Sequence, residues 1–210
     1  MLTVACVLAK GDKTGPDAGP ERFRQVHVER LKDMVERFLD RDHRFVCLTN
    51  MPRIEGVIDI PLSHRWAGWW SKIELFRPGL FNDRVLYFDL DVTIVGKLDE
   101  IVYKWPAFWA LRNYQNIGLN SSVMMWDPPA GENIYKNFVY RQRDKIRGGD
   151  QKWISAQMPE AMCFSRLWFP SYKHHVLPNG GRVNKEAKAV IFHGRPRPWE
   201  IENGTFGISG

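Results

Sequence analysis

Residues 84–101 read RVLYFDLDVTIVGKLDEI, and the rest of the chain is organised around this stretch. An apolar run, Val85–Phe88, leads into Asp89-Leu90-Asp91, and a second run over 92–95 leads out. A carboxylate at a core boundary is costly unless it is paired or holds a metal. Strand side chains alternate, so Asp89 and Asp91 share one side if the strand continues through them. They then offer two hard oxygen donors to one cation, as Mg2+ and Mn2+ prefer. The competing reading is a turn, where Asp is common. The motif contains no Gly, Pro or Asn, which weighs against the turn.

Upstream, Leu2–Leu8 reads as a buried strand running into a loop over 10–20 rich in Gly, Asp and Lys. The fragment GDKTG in that loop fails the phosphate-loop pattern, because Gly11 is followed by Asp12 and no Gly stands at the required spacing. Residues 21–39 are helical by period, with Leu31, Met34, Val35 and Phe38 at i, i+3, i+4 and i+7. His27 on this helix reads as a packed or surface residue. Strands are expected over 44–49 and 57–62, and strands alternating with helices indicate a mainly parallel α/β sheet. The segment 64–81, HRWAGWWSKIELFRPGLF, reads as a helix ended by Pro78-Gly79, with Trp69, Ile73 and Phe76 on one face. Lys72 lies among them, either solvated or reaching a phosphate in a cleft.

Downstream, Asp99 and Glu100 suit the first turn of a short helix, and 108–111 is a strand. IGLNSSVMMW, 117–126, sets Asn120, Ser121 and Ser122 before an apolar run, as turn residues or ligand contacts. A helix is expected over 133–140, then a basic stretch over 141–147. Gly148-Gly149-Asp150-Gln151 precedes a helical run over 152–158, and Asp150 suits its N-cap. The 168–176 segment is aromatic and basic; from a strand, His174 and His175 face opposite ways and do not share a metal. Residues 189–192 form a short strand that delivers His193 to GRPRPW, and the chain after Trp199 reads as a loose tail.

The 210 residues, 44% hydrophobic, suit one domain, 1–200, followed by a tail, 201–210. A net charge of +6 and a pI near 9.3 call for an anionic partner: nucleic acid, a phosphate-bearing small molecule or an anionic membrane surface. Nine Trp exceed the needs of a core, so some are expected to line a site. Cys6, Cys47 and Cys163 have neither zinc spacing nor an even disulfide framework. With no signal-peptide-like start and no run of membrane-span length, a cytoplasmic location is expected.

Five blocks, in one order, then resemble the GT-A glycosyltransferases of family eight, the group of glycogenin and the bacterial lipopolysaccharide galactosyltransferases. They are the segment with Lys72, LYFDLDVTIVGKLDEI, GLNSSVMMW, GDQKWI and the closing FHGRPRPW. Arg197 stands where the family has Lys, and Ser122 where it has Gly. The resemblance implies a single GT-A, Rossmann-like domain with a mainly parallel mixed sheet flanked by helices. It implies a metal-dependent transfer from a nucleotide sugar, expected to be a UDP-sugar, with retention. The acceptor would be a saccharide, a lipid-linked glycan or a protein. Asp89, Asp91 and His193 would hold Mn2+ or Mg2+. Lys72, Arg195 and Arg197 would face the diphosphate; Asn120 and Ser121 would contact the donor, and Asp150 and Gln151 are the candidate catalytic residues.

Three rivals remain. FDLDVT matches the Asp-x-Asp-x-Thr of haloacid-dehalogenase-type phosphatases, but the motif comes after 88 residues and no acidic pair follows Glu100. Aromatics interleaved with Arg and Lys over 164–175 could stack bases. No nucleic-acid signature accompanies them and the acidic pair repels a phosphate backbone, so no nucleic acid is expected. The third is an inactive relative, against which every expected metal ligand is retained. A peripheral membrane contact is compatible with the charge.

Overall fold

The computed structural model describes residues 1–9, 23–66, 68–115, 117–201 and 206–209. The Gly-rich loop over 10–20 and the first residues of the expected 21–39 helix lie outside the described residues. Strand β1 (Leu2–Leu8) is buried along almost its whole length. Helix α1 (Gln25–Phe38) turns Val28, Leu31 and Val35 inward. Strand β2 (His43–Thr49) lies parallel to β1, and β3 (Ile58–Pro61) is parallel at the edge. Pro61 is tolerated there because an edge strand can spare a donor.

Strand β4 (Val85–Phe88) pairs parallel to β1 on its other side. The short β5 (Thr93–Ile94) and α2 (Asp99–Val102) follow, then β6 (Trp109–Arg112) and β7 (Leu119–Trp126). Only β7 runs against its sheet neighbours, β4 and β6. Helices α3 (Glu132–Lys136) and α4 (Gly149–Gln157) lead to β8 (Met162–Cys163), parallel to β6. The seven-stranded order is β3-β2-β1-β4-β7-β6-β8, a mainly parallel mixed sheet as expected. Strand β9 (Arg182–Asn184) precedes β10 (Ala189–Val190), which pairs with β5. Strand β11 (Gly207–Ser209) pairs parallel to β9.

Both faces of the sheet are covered, which is why its central strands are apolar throughout rather than alternating. Leu86 and Phe88 of β4 join Val28, Leu31 and Val35 of α1 in one core. Val85 and Tyr87 face the other core, with Ile73, Phe76, Ile134 and Ile154. No helix among the described residues is long and apolar enough to cross a membrane.

Four expectations are corrected. Strand β4 ends at Phe88, and Leu90 and Asp91 form a turn in which Val92 N donates to Asp89 O at 3.1 Å. The polar Asn120, Ser121 and Ser122 lie inside β7, not before it. The 64–81 segment is a 3-10 helix over Gly68–Phe76, not an α-helix. Its repeat of three brings side chains at i and i+3 into eclipse, so Trp69 lines up with Lys72 rather than with Ile73 and Phe76. Residues 70–76 are all buried, leaving Trp69 outside. Part of the tail is ordered into β11, with Phe206 against Tyr172 and Phe192.

Candidate functional site

Strand order reverses between β1 and β4: β2 and β3 extend from one side of β1, β4 and β7 from the other. In an open α/β sheet the crevice at the carboxyl ends of such a strand pair is where ligands bind. Asp89 is the residue that leaves β4 at that end. Its backbone N–H donates to Ser122 O at 2.8 Å, tying it to the middle of the antiparallel β7.

Lys72 is the hub. Its ammonium lies 2.9 Å from Asp89 Oδ1, 2.9 Å from Asp150 Oδ2 and 3.1 Å from Ser121 Oγ. Ser121 Oγ in turn donates to Asp150 Oδ2 at 2.8 Å. Burial pulls the Lys72 pKa down, but Asp150 and Asp89 outweigh it and leave the amine well above its ordinary value. The lysine is a buried, permanently charged group and not a solvated one. Asp150 is not the N-cap of α4, which is Gly148 at φ +99. It sits in the first turn, where a carboxylate is favoured, and faces Lys72.

Asp91 is buried and paired with Arg197, itself buried, 106 residues further along the chain. Burial and the charge of Asp89 push the Asp91 carboxyl up to about 6, against the pull of Arg197 and Lys72. The sequence also conceals Tyr87, whose hydroxyl donates to Asp89 Oδ1 at 2.6 Å. Burial and the Asp89 charge hold its phenol well above the usual range. As the last inward residue but one of β4, it is indistinguishable from core in the sequence.

The remaining expected site residues divide. Asn120 is buried, with Oδ1 accepting from Ser122 N at 3.0 Å. Gln151 is half-buried in the first turn of α4. Arg195 is not brought in: its side chain is 84% exposed and pairs with Glu200 at 2.7 Å. His193 joins a second group: its Nε2 lies 2.7 Å from Ser171 Oγ and its ring stacks on Tyr114 and His174. Burial, then His174 and Lys173, lower its pKa, favouring the neutral imidazole. His174 and His175 lie on a helical turn over Tyr172–Val176, so the strand argument against them does not apply. The closing block is anchored at the far side of the site, where Trp199 stacks on His27 at 4.0 Å and meets Phe23 edge-on.

The donor set fits a hard dication in part. Asp89 and Asp91 are neighbouring carboxylates, and burial first, then the charge of Asp89, raises Asp91 against the pull of Arg197 and Lys72. Among the described residues, however, no group of three or more His, Cys, Asp or Glu is placed to hold a metal.

No family model matches the sequence, and no curated protein matches it. Solved structures do. The glycosyltransferase GlyE of Streptococcus pneumoniae TIGR4 superposes with a TM-score of 0.66 at 11% identity, over 95% of this chain and 57% of GlyE. The chain therefore spans little more than half the length of that protein. The galactosyltransferase LgtC, in complex with donor and acceptor sugar analogues, superposes with a TM-score of 0.62 at 14% identity, over 96% of this chain and 90% of LgtC. An active-site mutant of LgtC gives 0.62 at 13% identity, over 98% and 91%. At such identities the likeness is one of architecture, and the architecture is the GT-A fold of these glycosyltransferases.

Proposed function

We propose that the protein, through a catalytic domain spanning 1–200, transfers a sugar from a nucleotide sugar, expected to be UDP-linked, to an acceptor hydroxyl on a saccharide, a lipid-linked glycan or a protein. The observation that carries this reading is the convergence of Lys72, Asp89, Asp91, Ser121, Asp150 and Arg197 at the end of β4. Alternating acids and buried cations suit a ligand that brings its own charges, as a diphosphate with its cation does. Lys72 and Arg197 supply fixed positive charge where the diphosphate becomes more negative on leaving. Asn120, Ser121, Asp150 and Gln151 would take sugar hydroxyls. The bond from the anomeric carbon to the diphosphate oxygen breaks as the acceptor oxygen bonds that carbon, and the acceptor's hydroxyl proton passes to the departing diphosphate. We assign the reaction retention of anomeric configuration.

Asp89 and Asp91 would hold a divalent cation, Mn2+ or Mg2+, with His193 joining them only by leaving Ser171, and the cation would supply Lewis-acid neutralisation of the leaving diphosphate. Donor binding would exchange the Arg197–Asp91 pair for contacts of each side chain with the incoming charge. We place the protein in the cytoplasm; Cys6, Cys47 and Cys163 are free thiols, as a reducing compartment keeps them.

The test is a thermal-shift screen of UDP-glucose, UDP-galactose and GDP-mannose with and without Mn2+, on the wild type and Asp91→Asn. A metal-dependent shift with a UDP-sugar, absent in the variant, is expected. Donor hydrolysis should fall by roughly 10²–10³, the loss typical of one preorganised group. Near wild-type turnover by folded Asp91→Asn in saturating Mn2+ would sink the assignment.

A further inference from the structure

Trp69 stands apart from the other tryptophans. Trp66, Trp70, Trp109, Trp126, Trp153 and Trp199 each meet another ring, and Trp168 carries two lysines over its face. Among the described residues only Trp69 and Trp105 of the nine lack such a partner. Trp105 precedes β6, which runs parallel to β4, and so lies at the end of the sheet away from Asp89. Trp69 is at the site.

Its position follows from two local features. The 3-10 repeat sets it one turn from Lys72 and in line with it. Its other neighbour is Gly149, at φ +68, where a Cβ would come within 2.7 Å of Trp69 Nε1. No side chain therefore separates the indole from the start of α4, and the next residue is Asp150. Trp69, 41% exposed, thus flanks the 2.9 Å ion pair of the site, with Lys72 one 3-10 turn along the chain and Asp150 next to Gly149.

We infer that Trp69 is the stacking surface for a pyranose ring whose hydroxyls are read by Asp150, Lys72 and their neighbours. A pyranose is amphipathic: hydroxyls point from its edges, and axial C–H bonds cover one face. The C–H hydrogens carry partial positive charge and are drawn to the negative face of an aromatic ring. Lys72, Asp150, Ser121 and Asn120 are all polar; the indole supplies the apolar face they lack. This inference rests on the glycosyltransferase reading above and names the group that holds the transferred ring.

Protein labelled with 5-fluorotryptophan gives nine fluorine resonances, one per Trp, and Trp69→Phe assigns Trp69 by the loss of one. Titration with UDP, UDP-glucose, UDP-galactose and UDP-N-acetylglucosamine in Mn2+ should move the Trp69 resonance with a UDP-sugar and not with UDP. Trp69→Ala should weaken UDP-sugar binding about tenfold, leave UDP binding unchanged, and be rescued by Trp69→Phe. A Trp69 resonance that answers only to methyl hexosides added to the UDP complex puts the stacked ring on the acceptor and overturns the assignment to the transferred sugar. Binding of UDP-sugars that shifts other tryptophans, leaves Trp69 still and is indifferent to Trp69→Ala overturns the inference and spares the reading. If neither UDP nor any UDP-sugar moves a resonance or the melting temperature, both fall.

Discussion

Lys72→Met removes the hub of the site while keeping its length and apolar stem. Asp150, with a side chain 10% exposed, would keep only the Ser121 hydroxyl; Asp89, 24% exposed, would keep Tyr87. Stripping one partner from a buried ion pair typically costs about 3–5 kcal/mol, because the charge left behind stays out of water. Asp89 reaches some solvent, so most of the cost falls on Asp150. At roughly 2–4 °C per kcal/mol for a domain of this size, the melting temperature should drop by about 6–20 °C. Urea unfolding in EDTA at pH 7 measures the free energy without interference from metal. The wild-type contribution of Lys72 is full below its unfolded value of 10.5 and is lost only as pH climbs through the raised folded value. In the variant the deficit comes from the carboxylates left without their cation. Adding Asp150→Asn should recover part of it. A deficit under about 1 kcal/mol, the range of a solvated surface pair, would refute the hub.

Two further outcomes concern the frame of the site. Burial, then Arg24 and Arg30, hold the His27 pKa below its ordinary value, and its Nδ1 accepts from Arg24 N at 2.9 Å. Below roughly pH 6.5 the unfolded chain binds a proton that the folded chain refuses. Stability should therefore fall as pH drops from 7 to 5, by at most about 1.4 kcal/mol per pH unit from this group. His27→Phe, which keeps the stack on Trp199, should flatten the slope of urea midpoints; an unchanged slope excludes His27 as its source. Glu74 is fully buried and accepts from Ser63 N at 2.6 Å and His64 N at 2.9 Å. Glu74→Ala should cost about 1.5–3 kcal/mol and open residues 62–66 to limited proteolysis; wild-type resistance there would disprove the anchoring role.

The central strands were legible because a strand buried on both faces writes itself as an unbroken apolar run, as Leu2–Leu8 and Val85–Phe88 do. Asp89 and Asp91 were legible because two acids beside such a run conflict with burial and demand a reason. The helix form at Gly68–Phe76 was not: seven consecutive residues, 70–76, are all buried and carry no polar face to choose between periods of 3 and 3.6. The shorter repeat separates Trp69 from Ile73 and Phe76 and leaves it exposed beside Lys72. Arg195 and Arg197 look equivalent as letters, two residues apart, yet Glu200 captures one and Asp91 the other. Tyr87, Ser171 and Glu74 act through hydrogen bonds that only the folded chain defines, so no spacing announces them.

The pairing of Asp91 with Arg197 has a consequence for the order in which the site comes into being. A chain grown to residue 196 already holds the acidic pair, Lys72, Ser121 and Asp150, yet lacks the second cation, which arrives 106 residues after its partner. Until then Asp91 has burial and Asp89 against it with only Lys72 and Arg30 nearby in its favour. The segment that delivers Arg197 docks through Trp199 on His27, near the beginning of α1. First and last parts of the domain thus close the site together, and a shortened chain would be born with Asp91 short of its guanidinium.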